Sequence, residues 1–386
     1  DVNDKNHQLQ TSDDDDSELG QKKRNKSDKF LTKNFSIKVA IVSLLTVIGF
    51  GLLWSLWSDS SREQWPFETD DKIRSSPVVS NGVVYVGSQD STLYAVDAAS
   101  GKEQWRFEAS DEIWYSPSVS NGVVYVGSWD GNLYAIDAAS GQEQWRFQIA
   151  DMIRSSPIVS NGVVYVAIHY VLSDNNYLSA VDAASGREQW RFKTGDQIRS
   201  SPALVNGVAY VGSWDNNLYA IDAASGREQW RFETENSISS STVVSDGVVY
   251  VVSGINTLSA IDASSGQEQW RFEADDLFYK EVSGGMVYVV GDNNLYAIDA
   301  TSGHEQWHSE IGEEINSSPV VSNGVIYVGN DDNNLYAIDA SSGQVQWRFE
   351  TGDDIWSSPA VSNGVVYVSS KDGNLYAIDV TSGSEL

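Results

Sequence analysis

The residues that most often carry catalysis or bind metals are scarce in this chain of 386 residues. Cysteine is absent, which excludes disulfides, thiolate metal sites, Cys nucleophiles and Cys lipid anchors. The four histidines, at positions 7, 169, 304 and 308, are scattered without metal-ligand spacing. Acidic turn residues such as Asp130 and Asp215 indicate hairpin turns rather than calcium loops, because no EF-hand or nonapeptide spacing surrounds them. The sequence therefore predicts no catalytic residue and no metal site.

Aromatic and basic residues form the second group that could do chemistry, and they recur at one position of a repeated unit. After the Ile or Leu that opens each unit, the sequence reads Arg74, Trp114, Arg154, Arg199, Ser239, Phe278, Asn316 and Trp356. Others fall in a turn of the same units, including an expanded turn at 167–177. Aromatic and Arg side chains dominate the energetics of many binding surfaces. We predict a binding face made of Arg74, Trp114, Trp129, Arg154, His169, Tyr170, Arg199, Trp214, Phe278 and Trp356.

The elements that must position these residues are copies of one pattern, Ala-x-Asp-x-x-x-Gly-x-x-x-Trp. The pattern recurs every 40 residues, except for 45 before Asp182 and 37 before Asp299. Each unit contains four short apolar runs separated by turn signals, among them Asn81-Gly82, which favours a type I′ hairpin. We interpret the repeated Trp as a docking residue that fills the space between neighbouring units. These residues are Trp65, Trp105, Trp145, Trp190, Trp230, Trp270, Trp307 and Trp347.

The two ends of the repeat array complement each other. The eighth copy of the pattern ends at Leu386, one residue before its Trp, whereas "SREQWPF" (61–67) supplies Trp65 before any complete unit. We therefore expect this segment to form the last strand of the last unit, which closes a ring. Four antiparallel strands in each of eight units predict an all-β fold, an eight-bladed β-propeller closed by an N-terminal strand.

The two faces of such a propeller differ in sequence. The turns between the first and second strands and between the third and fourth strands share one face, and they read mostly "SNG" and "AASG". The second-to-third turns and the connections between units share the other face, and there the aromatic residues, arginines and length changes accumulate. Drift of surface loops is the simpler explanation, but equally exposed turns on the opposite face hardly vary. The sequence favours a functional face around one mouth of the channel.

The N-terminal region predicts a membrane tether. Residues 1–35 are polar and are expected to be a disordered cytoplasmic tail, and residues 36–58 are expected to form a transmembrane helix before the propeller of residues 59–386. The apolar run 39–57 has nineteen residues without a charge, long enough to cross roughly 30 Å of hydrocarbon. Lysines precede it and acidic residues follow it, so the positive-inside rule places the propeller in the periplasm or outside the cell. The net charge of −29 argues against nucleic acid as a partner.

The stretch "AVDAASGKEQW" (95–105) and its copies resemble the tryptophan-docking repeat of the pyrroloquinoline-quinone (PQQ)-type β-propellers, over residues 62–386. This family includes quinoprotein dehydrogenases and BamB-type propellers of outer-membrane assembly. The resemblance implies a non-catalytic, BamB-like scaffold that binds a protein or small ligand at one face. The chain departs from the BamB type in anchoring, because those proteins resemble lipoproteins attached through a Cys.

Two alternatives remain open. Quinoprotein dehydrogenases use a vicinal Cys pair over the quinone, together with Glu, Asn and Asp around calcium and a catalytic Asp. With no Cys and no room for an inserted substrate cover, neither enzyme activity nor a PQQ cofactor is expected here. The other alternative is the sensor half of a receptor-type Ser/Thr kinase, since residue 1 is Asp rather than Met and a kinase domain upstream would be compatible with residues 1–58.

Overall fold

The computed structural model describes residues 65–148, 152–169 and 176–386. In these ranges the strands form eight antiparallel sheets, each with four or five strands, which we number as blades 1 to 8. The described ranges contain no helix whose length and apolar character would let it pass through a bilayer. The predicted tail (1–35) and the predicted transmembrane helix (36–58) lie outside them.

The blades follow one another along the chain, and in blades 1, 2, 4, 5, 6 and 7 the strands lie side by side in sequence order. Blade 1 contains β2 (Val78–Ser80), β3 (Val83–Gly87), β4 (Thr92–Asp97) and β5 (Glu103–Glu108). Blade 2 contains β6 (Ser118–Ser120), β7 (Val123–Gly127), β8 (Asn132–Asp137) and β9 (Glu143–Gln148). Blade 3 contains β10 (Met152–Ile153), β11 (Ile158–Ser160), β12 (Val163–His169), β13 (Asn176–Asp182) and β14 (Glu188–Lys193). Blade 4 contains β15 (Ala203–Val205), β16 (Val208–Gly212), β17 (Asn217–Asp222) and β18 (Glu228–Glu233).

The second half of the ring repeats this arrangement. Blade 5 contains β19 (Val243–Ser245), β20 (Val248–Ser253), β21 (Thr257–Asp262) and β22 (Glu268–Glu273). Blade 6 contains β23 (Leu277–Ser283), β24 (Met286–Gly291), β25 (Asn294–Asp299) and β26 (Glu305–Glu310). Blade 7 contains β27 (Val320–Ser322), β28 (Val325–Gly329), β29 (Asn334–Asp339) and β30 (Val345–Glu350). Blade 8 contains β31 (Ala360–Ser362), β32 (Val365–Ser369), β33 (Asn374–Asp379) and, from the other end of the propeller, β1 (Phe67–Glu68).

The ring is closed where blade 8 meets blade 1. Strand β1 pairs antiparallel with β33, with Phe67 opposite Leu375. Trp65 is 5% exposed and packs with Tyr367 from blade 8. Across the seam, the Tyr367 hydroxyl donates to the carbonyl of Ala98 in blade 1 at 3.0 Å. The predicted all-β, eight-bladed β-propeller closed by an N-terminal strand is therefore confirmed.

The apolar core lies between neighbouring blades. Between blades 1 and 2, Tyr85, Trp105 and Val124 belong to one buried cluster. The indole N–H of Trp105 donates to the carbonyl of Ala138 in the next blade at 3.0 Å, and the ring covers Gly141. Six docking Trp make this bond at 3.0 Å: Trp105, Trp145, Trp190, Trp230, Trp270 and Trp347. Each pair of blades is thus joined by an aromatic side chain that reaches over a turn of the next blade.

The turns of one face are fixed by backbone conformation. Asn81 and Gly82 have φ values of 50° and 77°, the pair of positive values that a type I′ turn requires. Ala98, in the turn between the third and fourth strands, donates its N–H to the carbonyl of Gly82. On the opposite face, the second-to-third turn is bonded to the segment that enters the blade, since the N–H of Gln89 donates to the carbonyl of Lys72. The variable segments predicted to share a face therefore do share it.

Two irregular blades differ from the sequence interpretation. The expanded turn of blade 3, expected over 167–177, is shorter, because β12 continues to His169 and β13 begins at Asn176. In blade 6 the sequence "FYKE" (278–281) stands where blade 1 has "RSSP" (74–77), but the two segments do not match position for position. Glu281 lies opposite Tyr288, the place that Val78 takes opposite Tyr85 in blade 1. The entry segment of blade 6 is one residue shorter, since one residue fewer separates Glu281 from Leu277 than separates Val78 from Ile73. Glu281 therefore corresponds to Val78 rather than to Pro77.

Candidate functional site

A cavity of about 450 Å³ opens at the channel mouth on the variable face. Its lining comes mainly from the segments that enter the blades, just before each innermost strand. The larger lining side chains are Arg74, Trp114, Tyr115, Arg199, Tyr279, Asn316 and Trp356, and the remaining lining residues are serines. No Asp or Glu is among the described residues that line it. In a chain with a net charge of −29, this lining is unusual in carrying only positive charge.

Five side chains from three blades form a continuous stack beside this cavity. The ring of Trp129 lies parallel to that of Trp114, with centroids 4.3 Å apart and an interplanar angle of 13°. The guanidinium carbon of Arg74 is 4.2 Å from the centroid of Trp114 and 4.3 Å from that of Trp356. The ammonium of Lys371 lies 4.1 Å from the Trp356 ring. We call Trp129, Trp114, Arg74, Trp356 and Lys371 the aromatic–cation stack.

The stack is anchored at its edges by hydrogen bonds. Arg74 donates from Nε to Gln89 at 3.2 Å, Trp356 donates from Nε1 to Asp331 at 2.9 Å, and Trp114 donates from Nε1 to Glu112. Burial lowers the pKa of Arg74, and the charge of Glu112 opposes that shift. The guanidinium is therefore held in a fixed plane, partly removed from water.

A second cation–aromatic pair lies on the other side of the mouth. The guanidinium carbon of Arg199 is 3.8 Å from the centroid of Trp214, whose Nε1 donates to Ser239 at 3.1 Å. Burial and the charge of Arg154 both lower the pKa of Arg199. Arg154 itself contacts Met152, and its buried Nε has no hydrogen-bond partner among the described residues. Positive charge thus converges on the cavity from blades 1, 3 and 4.

Serines form a hydrogen-bonded arc around the channel beneath these side chains. The backbone N–H of one serine donates to the hydroxyl oxygen of the corresponding serine in the next blade, at distances of 2.9 to 3.1 Å. The bonds run from Ser76 to Ser116, Ser156, Ser201 and Ser241, and from Ser318 to Ser358 and back to Ser76. We call the six accepting residues, Ser76, Ser116, Ser156, Ser201, Ser241 and Ser358, the serine arc; all six line the cavity.

Blade 6 interrupts this arc. Its shortened entry segment places Tyr279 where the other blades have the serine, and Tyr279 lines the cavity. The side chain of Lys280 is buried and donates back to blade 5, to the Ser240 hydroxyl at 3.0 Å and the Ser241 carbonyl at 2.6 Å. Burial lowers the pKa of Lys280 to about 7. Burial also raises the pKa of Tyr279, as does the charge of Glu314.

The structure brings only part of the predicted binding face together. Arg74, Trp114, Arg199 and Trp356 line the cavity, and Trp129 and Trp214 support them from the second-to-third turns. Arg154 is not among the described lining residues, but its charge lowers the pKa of Arg199, which is. His169 ends strand β12, and Tyr170 lies outside the described residues. Phe278 is not among the lining residues; its neighbour Tyr279 takes that place because blade 6 is one residue shorter at its entry.

Several site residues escape sequence reasoning. Tyr115 stands where most entry segments have the first Ser of a Ser-Ser pair, so it carries a signal of departure from the repeat. Lys371 carries no such signal, because its turn position varies between blades, with Gln89, Trp129 and Trp214 among its equivalents. The serine arc carries the opposite signal. Its members recur at each copy and are easily mistaken for scaffold, although their hydroxyls line the cavity.

Comparison with known proteins identifies the repeat. A family model described as outer membrane protein assembly factor BamB matches residues 43–114, 112–212, 150–242, 174–293, 215–316 and 291–386. Among curated proteins, no sequence matches the chain significantly.

Solved structures share the fold at low identity. BamB from Moraxella catarrhalis is 19% identical, with a TM-score of 0.70 over 81% of this chain and 98% of that chain. The computationally designed Ika8 protein is 15% identical, with a TM-score of 0.72 over 80% and 96%. A quinohemoprotein alcohol dehydrogenase from Comamonas testosteroni is 16% identical, with a TM-score of 0.71 over 83% and 76%. Similarity at these identities shows the fold alone.

Proposed function

We propose, from the premise that this chain belongs to the PQQ-type β-propeller family of outer membrane protein assembly factor BamB, that it is a non-catalytic scaffold. It binds a protein partner at the mouth of the channel on the variable face. One observation carries the proposal: the aromatic–cation stack beside a cavity of about 450 Å³, in a propeller whose opposite turns are nearly uniform.

The composition and the rigidity of the stack both support binding. Trp, Tyr and Arg are the residues that most often dominate the free energy of association at protein interfaces. Each indole of the stack has a cation or a ring against it, and its edge N–H is bonded in Trp114 and Trp356. Such side chains lose little conformational entropy on binding, because they are already held in one arrangement.

The structural neighbours also raise quinone-dependent dehydrogenation. Calcium in such a site takes about six to eight oxygen ligands, with carboxylates prominent among them. The described residues that line this cavity offer hydroxyls and one amide but no carboxylate, and the chain has no Cys. These side chains do not fit a calcium-bound quinone. Binding without a quinone is therefore the function we propose.

We further propose that the propeller acts outside the cytoplasm, tethered by residues 36–58. The apolar run at 39–57, the lysines before it and the acidic residues after it support this orientation. Such a tether would hold the variable face within reach of partners at or near the membrane. Because the sequence alone carries this proposal, a protease-accessibility assay on intact and permeabilised cells is its direct test.

Partner capture tests the scaffold function. The full chain is used as bait in its native membrane, with crosslinking and quantitative mass spectrometry as the readout. Replacing Trp114, Trp356 and Arg199 together by Ala removes two of the five stack residues and one further cation, so we expect recovery of specific partners to fall at least tenfold. A matched triple variant replaces Lys102, Arg187 and Arg227, which are exposed in turns of the opposite face, and should retain capture.

A defined result of this partner-capture experiment would contradict the proposal. Both triple variants are first checked for wild-type circular dichroism and melting temperature, so that a loss of capture reports the surface and not unfolding. Equal recovery with the wild type and the stack variant would show that the variable face does not bind the partner.

A further inference from the structure

The lining of the cavity points to a narrower class of ligand. We propose, as a deepening that rests on the proposed function, that the mouth binds a single carboxylate carried by a peptide segment of the partner. Cationic side chains that flank this carboxylate in the same segment then meet an acidic rim. The carboxylate comes from a chain terminus or from one Asp or Glu side chain.

The floor of the cavity offers hydroxyl donors. Each hydroxyl oxygen of the serine arc accepts a backbone N–H from the preceding blade, and this orients the side chain towards the channel. Among the described residues, none of the six hydroxyls donates to a protein acceptor. Because a hydroxyl has one hydrogen to donate as well as lone pairs to accept, six O–H groups are left for a ligand that accepts hydrogen bonds.

Two guanidinium groups face the same space. Arg74 uses only its Nε in a bond to Gln89, and Arg199 uses its Nε in a bond to Gln197 at 3.1 Å. Their Nη atoms form no hydrogen bond to the described residues, and no carboxylate shares the lining with them. Both guanidinium groups are partly removed from water and have depressed pKa values, so an anion between them would relieve an unfavourable environment. Arg and hydroxyl donors together suit a carboxylate.

The rim around this basic centre is acidic. Glu112 contacts Trp114, Asp331 contacts Trp356, and Asp354 pairs with Lys371. The charge of Glu314 reaches Tyr279, and that of Asp196 reaches Arg199. Like charges brought together at an interface oppose association. A run of acidic residues would therefore be repelled at the rim, whereas one carboxylate between cationic residues matches both zones.

Size also favours a peptide segment. A cavity of about 450 Å³ is within the range of roughly 300 to 1,000 Å³ that pockets for small ligands occupy. It accommodates one or two residues rather than a folded element. The remainder of the segment would lie over the aromatic–cation stack and the rim.

Short dansyl-labelled peptides, titrated with the full chain and followed by fluorescence anisotropy, test this inference. The first pair is Lys-Lys-Gly-Gly with a free terminal carboxylate or a terminal amide. The second pair is dansyl-Lys-Asp-Lys-amide, labelled at its terminal amine, and its Asn counterpart. In at least one pair, we expect the carboxylate peptide to bind at least tenfold more tightly than the amide, and that pair identifies the source of the carboxylate. Glu-Glu-Gly-Gly with a free terminus should bind more weakly than Lys-Lys-Gly-Gly, because the rim repels it.

Variants assign the preference to the site. Replacing Arg74 and Arg199 by Met should reduce the ratio of carboxylate to amide affinity to near one, whereas Arg187→Met on the opposite face should leave it unchanged. Equal affinities within both pairs in the wild type, or a preference that survives the Arg74 and Arg199 substitutions, would overturn the inference. The proposed function fails separately: its failure is undiminished partner capture by the Trp114, Trp356 and Arg199 variant.

Discussion

Among single residues, Lys280 is the cation most completely withdrawn from water in the described part of the chain. Its side chain is 5% exposed, and its ammonium donates to the hydroxyl of Ser240 and the carbonyl of Ser241 in the neighbouring blade. No carboxylate contributes to its shift, and burial alone lowers its pKa from 10.5 to about 7. Blade 6 therefore contacts blade 5 through a buried amine that loses its charge near neutral pH.

This environment predicts how stability depends on pH. Between about pH 7 and 10.5 the unfolded chain holds a proton on Lys280 that the folded chain has released. The free energy of unfolding should therefore rise with pH by up to about 1.4 kcal/mol per unit in this window, and the contribution is lost as pH falls towards 7. Lys280→Met should abolish the rise, measured by urea unfolding at a series of pH values from about 7.5 to 9.5.

The control and a neighbouring group limit the interpretation of that slope. Lys102→Met changes an exposed lysine on the opposite face and should keep the wild-type slope. Burial raises the pKa of Glu281 from 4.5 to about 7, so its effect has the opposite sign and lies below the chosen range. An unchanged slope in the Lys280 variant would mean that the amine is hydrated in solution.

Among the elements, the turn before each outer strand depends on a close contact with the preceding blade. Gly141 has a φ of 70°, and a methyl group added there would lie 2.7 Å from Cδ2 of Trp105. Gly122, in a type I′ turn, has a φ of 76° but nothing within 4 Å of such a methyl group. The two positions thus share backbone strain, and only the first adds a steric conflict with the docking Trp.

Paired alanine substitutions separate these effects. Gly122→Ala should destabilise through the positive φ alone, and Gly141→Ala should cost about 1 to 3 kcal/mol more, because Trp105 must move from its place between blades. Denaturant unfolding followed by tryptophan fluorescence measures both. If the two variants lose equal stability, the docking contact does not constrain the turn.

The elements also show where sequence reasoning succeeds and where it stops. Hairpins, the repeat and the constant face follow from local signals, such as Asn81-Gly82, that act within a few residues. The membership of Arg74, Trp114 and Trp356 in one site follows from their shared position in the repeat. Their stacking order does not, because it joins residues up to 282 positions apart through side-chain packing. The register of blade 6 is not predicted, because its entry segment is one residue shorter than that of blade 1. "FYKE" and "RSSP" have the same length, so a comparison of the two sequences does not reveal the shift.

At the scale of the whole molecule, the closing blade is assembled from two ends that continue one repeat. In blade 8, Ile378 forms a bridge with Glu385, and the N–H of Leu386 donates to the carbonyl of Ala377 at 3.0 Å. Glu385 and Leu386 thus take the places that Glu103 and Gln104 take in blade 1, and Trp65 takes that of Trp105. The interruption between Leu386 and Trp65 falls inside an outer strand.

Joining these ends tests whether the propeller is a continuous ring of equivalent blades. In a circular permutant that begins at Thr69 and runs through Leu386 directly into Trp65–Glu68, the spacing from Asp379 to the docking Trp is the eight residues of every other blade. We expect a melting temperature equal to or above that of linear 65–386, because a covalent bond then holds β1 against β33. Linear 69–386, which lacks β1 and Trp65, should melt markedly lower, because blade 8 loses its outer strand and part of the cluster with Tyr367 and Ala377. Differential scanning calorimetry compares the three chains. A permutant that melts well below linear 65–386 would mean that closure requires the chain break, and that blade 8 is not equivalent to its neighbours.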